Sequence, residues 1–418
     1  MPDRTDVIVV GGGMVGALTA LALARCELNI TVVEQTKPAE YSTDRHDLRV
    51  SAISQATLQM LKTLDAWDAI RAARSCPYSR MLVWDKASAA RTCFDSANVG
   101  HEQLGFIIEN SLIQTSLWDQ LAALDHVSLK CPATVVDLEL HDDAAVLRLD
   151  NGEVLTADLI IAADGSRSTT RELAGIRVTG ETYNQHALVA TVVTELPQQD
   201  ITWQRFTETG PQAFLPLAGH RASMVWYHDE SRIAELKAMT DTEFLHTMEA
   251  EFPQQLGGLT AIENRGSFPL LWSHADQYVK PRFALVGDAA HAVHPLAGQG
   301  VNLGMLDAAT LVQCILEGMA EGRHPGHVRH LRRYERWRKP ANELMIRLLD
   351  GIQQVFQPDD RSAIAAGAMK AFRTAALNMA DSVGPINKLC MRSAMGLSGD
   401  LPDLAHGRLP LTIARADA

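Results

Sequence analysis

The sequence predicts an α/β fold, α+β overall, with a βαβ unit at its start, a mostly antiparallel β-sheet in its middle and a helical C-terminal segment. Three observations support this prediction. Residues 6–34 have the pattern strand, glycine turn, helix and strand, and the second strand ends in Glu34. Strand-like runs fill residues 183–269, and helical patterns run through residues 325–397.

The N-terminal unit accounts for an uncharged stretch that is long enough to cross a membrane. Residues 7–24 carry no charge, which meets the length rule for a transmembrane helix. Gly11, Gly12 and Gly13 interrupt this stretch, and the residues before it are not net basic, as those of a secretory signal would be. A buried strand, a glycine turn and a helix explain the same residues better.

The elements that follow alternate between buried strands and helices. Before the central sheet we predict a helix at 52–64, a hairpin at 81–85 and 91–94, a strand at 104–108, a helix at 110–124, alternating strands within 127–156 and a buried strand at 158–162. The central sheet is predicted from runs at 186–194, 202–207, 213–217 and 223–228, with one helical insert at 241–252. A buried strand at 283–287 and a helix at 301–316 precede the helical tail.

Composition and charge exclude several classes of protein. Of the 418 residues, 46% are hydrophobic and 21% are charged, as in ordinary folded domains, so a disordered or collagen-like chain is excluded. The net charge of −12 argues against a dedicated nucleic-acid binder. Cys76 and Cys93, the closest pair of the six cysteines, lie 17 positions apart. No zinc-type spacing exists, therefore, and the scattered thiols suit a reducing cytoplasm.

The glycine turn has the pattern of a dinucleotide-binding site. In Gly11-x-Gly13-x-x-Gly16, the first glycine allows a tight turn, the second lets a pyrophosphate approach the backbone, and the third lets helix and strand pack closely. The helix N-terminus offers free N–H groups to the phosphates. Glu34 closes the next strand, where it can accept hydrogen bonds from an adenosine ribose. This pattern does not separate NAD from FAD.

Two later motifs make that separation. Asp164-Gly165 follows the buried strand at 158–162, and Gly287-Asp288 ends the strand at 283–287. Each pair alone is also typical of an ordinary turn. Together with the N-terminal glycines, in this order, they resemble the fingerprints of the aromatic-ring flavoprotein monooxygenases. The resemblance implies an FAD-binding domain of the p-hydroxybenzoate hydroxylase type, in which Asp288 binds the ribityl and pyrophosphate region and Asp164 takes part in FAD and NAD(P)H binding.

The segment at 294–308, HPLAGQGVNLGMLDA, resembles the ubiquinone-biosynthesis hydroxylase branch of that family. A glycine-rich loop, which includes Gly298, can lie flat against a flavin ring. Gly300, Val301 and Asn302 are placed to present backbone N–H groups from a helix start, whose positive field would stabilise negative charge on a reduced flavin. Asp307, further along the helix, is expected only to cap or pair locally.

Two further segments match the family. Arg49, in the stretch RVSAIS, resembles the arginine that approaches the FAD ribose and pyrophosphate, and Gln114 with Glu109 and Asn110 resembles the junction of strand and helix beside the cofactor. The alternative interpretations are a surface ion pair and a helix cap. Within the branch, segments at 76–78, 203–217, 223–227 and 278–281 most resemble the demethoxyubiquinol hydroxylases.

The resemblance also implies an activity. An FAD-dependent monooxygenase of this type hydroxylates a polyprenyl benzoquinol ring in ubiquinone biosynthesis, and the expected substrate is 2-polyprenyl-3-methyl-6-methoxy-1,4-benzoquinol, or demethoxyubiquinol. NAD(P)H binds transiently and reduces the flavin, and O2 then forms a flavin hydroperoxide that transfers a hydroxyl group. Because the flavin carries the chemistry, no side chain is assigned to catalysis. The reaction needs an apolar pocket, and our candidates for its walls are Phe206, Phe214, Pro216, Trp226 and Pro295.

Other functions stay open at this point. A sister hydroxylase for another ring position, or a flavin monooxygenase for a soluble phenol, would share the cofactor motifs. A non-catalytic FAD-binding assembly protein, or a two-electron flavin dehydrogenase or oxidase that does not insert oxygen, would share most of them. His291 and His294 form an HxxH pair, but no acidic or Cys ligand accompanies them, so no metal is predicted. The sequence permits a homo-oligomer and does not fix the oligomeric state.

The helical tail concentrates positive charge on an otherwise acidic chain. The cations are Arg329, Arg332, Arg333, Arg336, Arg338, Lys339, Lys370, Arg373, Lys388 and Arg392. They indicate either a face that docks on a membrane surface or on a partner complex, or a solvated helix face. We expect a cytoplasmic protein, peripheral to the inner membrane if the first alternative holds.

The motifs also divide the chain into domains. We predict a discontinuous FAD-binding domain at 1–75, 100–180 and 275–345. A substrate-binding β-sheet domain takes 76–99 and 181–274, and a helical C-terminal segment takes 346–418. Because only one GxGxxG pattern is present, no second nucleotide-binding domain is predicted.

Overall fold

The structure, a computed structural model, describes residues 4–88, 90–252, 257–293, 298–356 and 363–410. Its strands are β1 (Arg4–Val10), β2 (Ile30–Val33), β3 (Val50–Ser54), β4 (Cys76–Tyr78), β5 (Arg80–Asp85), β6 (Arg91–Asp95), β7 (Gly105–Glu109), β8 (Val127–Lys130), β9 (Val135–Leu140), β10 (Ala145–Leu149), β11 (Val154–Ala162), β12 (Val178–Thr194), β13 (Ile201–Thr207), β14 (Gly210–Leu217), β15 (Arg221–His228), β16 (Leu259–Ala275), β17 (Val279–Lys280), β18 (Phe283–Leu285) and β19 (His291–Ala292). Its helices are α1 (Met14–Ala24), α2 (Gln55–Thr63), α3 (Trp67–Ala73), α4 (Asn110–Ala122), α5 (Thr169–Leu173), α6 (Glu230–Ala238), α7 (Asp241–Glu251), α8 (Gln299–Ala320), α9 (Val328–Phe356), α10 (Ala363–Ser382) and α11 (Gly384–Ala394).

A largely parallel sheet organises the N-terminal unit. Its strand order is β17-β18-β11-β1-β2-β8. β10 also pairs with β11, and β9 pairs with β10, both in the antiparallel direction. The apolar runs of β1 and β2 pair in parallel and are buried, as continuous hydrophobic strands are when both faces of a sheet are covered. The Ala- and Leu-rich helix α1 joins α4 and α8 in the same hydrophobic core. The predicted strand, glycine turn and helix at 7–24 are confirmed.

A second sheet is mostly antiparallel, in the order β19-β16-β12-β15-β14-β13-β5-β6. Because side chains alternate along each strand, its two faces have different partners. The first face, which includes Leu188 of β12, packs under α6 and α7 through Ile233 and Phe244. The second face, which includes Val83 of β5, packs against Ile346 of α9 and residues of α10.

The C-terminal helices form part of this core. The hydroxyl of Thr92 on β6 donates a 2.7 Å hydrogen bond to the carbonyl oxygen of Leu377 on α10. Met391 of α11 packs with Tyr78 and Leu217 beside the small antiparallel sheet β3-β7-β4. Among the described residues, α8 has the length and hydropathy of a transmembrane helix, but 78% of its apolar window is buried within the fold, as is typical of a core helix.

Two predicted elements differ from the structure. The helix predicted at 52–64 begins at Gln55, because residues 50–54 pair with β7 and the Ser54 side chain caps the helix by accepting from Thr57 N–H. The single insert predicted at 241–252 is two helices, because Asp229 caps α6 before Thr240 starts α7 with a capping box. Both caps were visible in the sequence.

Candidate functional site

The turn between β1 and α1 leaves open space at Gly13, the second glycine of the GxGxxG pattern. Gly11 has φ +98°, and a Cβ there would lie 2.4 Å from the carbonyl oxygen of Ala163. A Cβ on Gly16 would lie 1.9 Å from the carbonyl oxygen of Gly11, but a Cβ on Gly13 would meet nothing within 4 Å. No side chain caps α1, so the first N–H groups of the helix are free for an anion. The turn therefore fits a pyrophosphate above Gly13.

Glu34 is bound to the glycine turn itself. Its carboxylate accepts hydrogen bonds from Gly12 N–H at 2.5 Å and from Thr36 N–H at 2.9 Å. A carboxylate has about four lone-pair sites, so it keeps capacity for a ribose hydroxyl. Glu34 thus both fixes the turn and remains a candidate ligand for the cofactor.

The carbonyl oxygen of Gly12 receives two side-chain donors from α4. Gln114 Nε2 donates at 2.8 Å and Trp118 Nε1 donates at 2.7 Å. A Cβ on Gly12 would lie 2.4 Å from the indole of Trp118. The structure thus places Gln114 against the glycine turn. Sequence reasoning missed Trp118, although its position four residues after Gln114 puts both side chains on one face of the helix.

Asp164 holds its own loop in place. Its carboxylate accepts hydrogen bonds from the hydroxyl of Ser168 at 2.5 Å and from Thr170 N–H at 3.0 Å, at the start of α5. This arrangement matches the alternative interpretation, an ordinary turn at a strand end. The nearby Arg171, which is buried, donates to the carbonyl oxygen of Ala289 at 3.0 Å. The motif therefore supports the Gly287-Asp288 turn through Arg171, which lies seven positions after Asp164.

Asp288 and Arg49 are exposed charges without strong protein partners. The carboxylate of Asp288 has no hydrogen bond to any described residue, and the Arg49 guanidinium lies over the ring of Phe268 at 5.2 Å. The surrounding protein displaces part of the water around the Asp288 carboxylate, and this desolvation raises its pKa. The positive charges of His291 and Arg49 oppose that rise. A free carboxylate suits ribityl hydroxyls, and a free guanidinium suits a pyrophosphate.

The start of α8 presents a second free helix N-terminus. Gly298 has φ +64° and no side chain caps the helix, so the backbone N–H groups of Gly300 and Val301 have no partner within the helix. The side chain of Asn302 donates to the carbonyl oxygen of Ala52 at 2.8 Å and accepts from Ser54 N–H at 3.0 Å. The Asn302 side chain therefore anchors α8 to β3, and only its backbone N–H is available to a flavin.

The predicted pocket walls do not lie together. Phe206 belongs to the face of the second sheet that meets α9 and α10. Phe214 and Trp226 belong to the opposite face, under α6 and α7, and Pro216 shares that face because it lies two residues after Phe214. The prediction of one common wall is wrong for these three residues. Pro295, like His294, lies outside the described residues.

Asp307 does more than the local capping that was predicted. It is fully buried, and its carboxylate accepts from His291 Nε2, from Arg338 Nε at 2.7 Å and from Asn342 Nδ2 at 2.9 Å. Burial would raise the pKa of Asp307, but the charges of His291 and Arg338 lower it to about 2. His291 is therefore committed to a carboxylate, and the described residues hold no cluster that could bind a metal ion.

Two of the ten tail cations belong to the interior. Arg338 is buried against Asp307, and Arg373 is buried and donates to the carbonyl oxygen of Val355. These two residues cannot form part of a docking face, because their guanidinium groups are enclosed. Arg329, Arg336, Lys370, Lys388 and Arg392 are exposed, and none has an acidic partner among the described residues.

Comparison with known proteins places these features in a wider group. Residues 4–348 match a family model described as FAD binding domain. The chain is 39% identical to the 3-demethoxyubiquinol 3-hydroxylase of Escherichia coli (strain K12), over 94% of this chain and 99% of that protein. It is 34% identical to the ubiquinone hydroxylase UbiL of Rhodospirillum rubrum, over 96% of this chain and 92% of that protein.

Solved structures agree on the fold. The p-nitrophenol 4-monooxygenase PnpA of Pseudomonas putida DLL-E4 superposes with a TM-score of 0.73, over 95% of this chain and 99% of that one, at 19% identity. At that identity the likeness concerns the fold alone. It confirms the predicted architecture of an FAD-binding part, a β-sheet part and C-terminal helices.

Proposed function

Since the chain belongs to the family of FAD-dependent hydroxylases of ubiquinone biosynthesis, we propose that it hydroxylates demethoxyubiquinol, a polyprenyl benzoquinol. The observation that carries this proposal is the 39% identity with a hydroxylase named for that substrate, which extends over 99% of that protein's length. The enzyme is an FAD-dependent monooxygenase that uses O2, and NAD(P)H is the electron donor typical of its family.

The proposed cofactor position follows from the free groups of the site. The N-terminus of α1 and the open space above Gly13 would take the pyrophosphate, with Arg49 beside it. Glu34 would bind the adenosine ribose, and Asp288 would accept hydrogen bonds from the ribityl hydroxyls. Gly300 and Val301 would direct their N–H groups at the flavin ring. When bound and reduced, FAD supplies the activation of O2 for ring hydroxylation.

The proposed quinol pocket lies on the Phe206 face of the second sheet. Phe206 shares a hydrophobic cluster with Val293 and Leu303, which flank the glycine-rich loop predicted to face the flavin. Ile346 of α9 and Leu377 of α10 complete this cluster. The arrangement supports a water-poor site between the sheet, the start of α8 and the C-terminal helices, as oxygen transfer from a flavin requires.

We also keep the predicted domain division as a proposal. It is supported by β5 and β6, which lie in the second sheet although they are far from its other strands in sequence. Strand pairing crosses the predicted domain boundaries at two points. β4, assigned to the substrate-binding domain, pairs with β7 of the FAD-binding domain, and β19 of the FAD-binding domain pairs with β16 of the substrate-binding domain.

The exposed tail is proposed to dock on an anionic membrane surface or on a partner complex there. Arg329, Arg336, Lys370, Lys388 and Arg392 supply the charge. The same helices expose large apolar side chains, among them Leu344 at 70% and Leu389 at 64%. A cationic and apolar surface on a chain of net charge −12 favours contact with anionic headgroups, and a polyprenyl substrate must be taken from such a surface.

One experiment tests the substrate. The gene is deleted in its host, the accumulating quinone intermediate is identified by mass spectrometry, and the purified enzyme is given that intermediate with NAD(P)H and 18O2. We expect demethoxyubiquinol to accumulate and one 18O atom to enter the ring. Accumulation of an earlier phenolic intermediate would assign the chain to a sister hydroxylase, and a product without 18O would exclude a monooxygenase.

A further inference from the structure

A single carboxylate ties both ends of the turn that carries Asp288. Asp307 on α8 accepts a hydrogen bond from Gly287 N–H at 3.4 Å and another, on the same oxygen, from Nε2 of His291. Gly287 and His291 bracket the residue proposed to bind the ribityl chain. The turn therefore has the same anchor on either side of Asp288.

The other oxygen of Asp307 is held from α9. Arg338 Nε donates at 2.7 Å and Asn342 Nδ2 donates at 2.9 Å, and Arg338 also donates to Asn342 Oδ1 at 2.8 Å. All three side chains are buried. A buried charge is stable only when it is paired and hydrogen-bonded, so these donors keep Asp307 ionised and fix its direction.

We propose that Asp307 is a positioning residue for the cofactor, which acts by holding the carboxylate of Asp288 in its binding direction. This inference rests on the proposed contact between Asp288 and FAD. Asp288 has no hydrogen bond of its own to the described residues, so its direction depends on the turn. Without Asp307 the turn loses its anchors at Gly287 and at His291, although Arg171 still holds the carbonyl oxygen of Ala289. FAD binding must then order the turn, which weakens affinity.

A double-mutant cycle on FAD affinity tests this proposal. The apoproteins of wild type, Asp307→Asn, Asp288→Ala and the double variant are titrated with FAD, and binding is followed by quenching of flavin fluorescence. We expect Asp307→Asn to raise the Kd for FAD about tenfold when Asp288 is present and less than about twofold when it is absent, since residues that act through one another are not additive. Equal factors in both backgrounds would overturn the proposal.

The design separates this inference from the proposed cofactor site. If Asp288→Ala alone leaves the Kd for FAD unchanged, the placement of the ribityl chain is wrong. If Asp288→Ala weakens binding but the two changes are additive, only the positioning role is wrong. Should Asp307→Asn not fold, His291→Leu takes its place in the same cycle, because it removes one anchor and leaves Asp307 paired with Arg338.

A control shows what loss of an ion pair with a buried arginine does by itself. Arg282 is paired with Asp158 at 3.1 Å at the start of β18, the opposite end of that strand from Gly287. Arg282→Gln is expected to lower the melting temperature of the apoprotein without changing the Kd for FAD. A comparable rise in Kd for this variant would mean that general destabilisation, not positioning, explains the effect of Asp307→Asn.

Discussion

Arg171 donates a 3.0 Å hydrogen bond to the carbonyl oxygen of Ala289 and so joins two turns that lie 118 positions apart in the chain. The first turn follows β11 and carries Asp164, and the second follows β18 and carries Asp288. Because β11 and β18 are parallel neighbours, their carboxyl ends lie at one edge of the sheet, where open α/β sheets bind ligands. The two motifs thus form one structural unit at the edge of the sheet where we propose that the cofactor binds.

The cofactor released from the purified protein is expected to be FAD and not FMN. The glycine turn with Glu34 provides for a pyrophosphate and an adenosine half, which FMN lacks. Mass spectrometry of the heat-released flavin identifies it. A protein that releases only FMN, or that cannot be reconstituted with either flavin, would contradict the assignment.

Two glycine variants are expected to fail in different ways. At Gly13 a Cβ meets open space, so Gly13→Val should fold normally but lose FAD, because the side chain takes the place of the pyrophosphate. At Gly16 a Cβ would clash with Gly11, so Gly16→Val should destabilise the apoprotein by about 1–3 kcal/mol. Flavin content and urea unfolding of the apoproteins measure the two effects. Full flavin content in Gly13→Val would sink the proposed pyrophosphate position.

Two phenylalanines from opposite faces of the second sheet should separate stability from turnover. Phe214→Ala is expected to lower the free energy of unfolding by about 3–5 kcal/mol, since Phe214 fills the core under α6 and α7. It should leave the coupling of NAD(P)H oxidation to hydroxylation intact. Phe206→Ala should instead increase uncoupled peroxide release, because it lines the proposed pocket. The ratio of peroxide to hydroxylated product distinguishes them. Tight coupling in Phe206→Ala would exclude its face as the pocket.

Acid should destabilise the fold through His46, which is buried, and His274, which is half-buried. Burial lowers the pKa of His46 and of His274 to about 4, below the unfolded value of about 6.5. As the pH falls, the unfolded state therefore binds protons at these two rings before the folded state does. The free energy of unfolding that depends on their neutral form is fully present above about pH 6.5 and is lost as the pH falls towards 4. We expect each to contribute a loss of roughly 1–2 kcal/mol between pH 7 and pH 5.

Urea unfolding at these two pH values checks this expectation. His46→Gln and His274→Gln should each flatten the pH dependence, and His141→Gln serves as the control because that ring is half exposed. A wild-type curve that stays level from pH 7 to pH 5 would contradict the prediction.

The basic tail is expected to mediate salt-sensitive binding to anionic vesicles. Reversing Arg329 and Arg336 on α9 and Arg392 on α11 to Glu changes exposed charges that have no acidic partner among the described residues. This triple variant should sediment more weakly with such vesicles, while its FAD content stays the same. Each cation near an anionic leaflet contributes about 1 kcal/mol, which fades within a Debye length. Arg148→Glu, which reverses an exposed charge on β10 of the N-terminal sheet, is the control. If the triple variant sediments and complements a deletion as well as wild type does, the tail is only a solvated face.

The glycine spacing, the acid at the end of β2 and the two strand-end motifs could be recognised from the sequence, because each is a local requirement. A tight turn needs glycine wherever a Cβ would strike the backbone, as at Gly11 and Gly16, and that need does not depend on distant residues. The same holds for the caps at Asp229 and Thr240, which were overlooked although the pattern was present.

The partners of the buried charges were decided by the tertiary structure. Arg338 and Arg373 looked like members of an exposed basic cluster, yet the first closes a network on Asp307, 31 positions away, and both are enclosed. Likewise, Phe206 and Phe214 are both strand phenylalanines in the sequence. Which of them meets the proposed pocket depends on which face of the sheet α6 and α7 cover and which face α9 and α10 cover. Strand periodicity assigns side chains to two alternating sets. Only the packing of distant helices determines which set faces the proposed pocket, because that packing joins segments whose contacts are not encoded in local sequence.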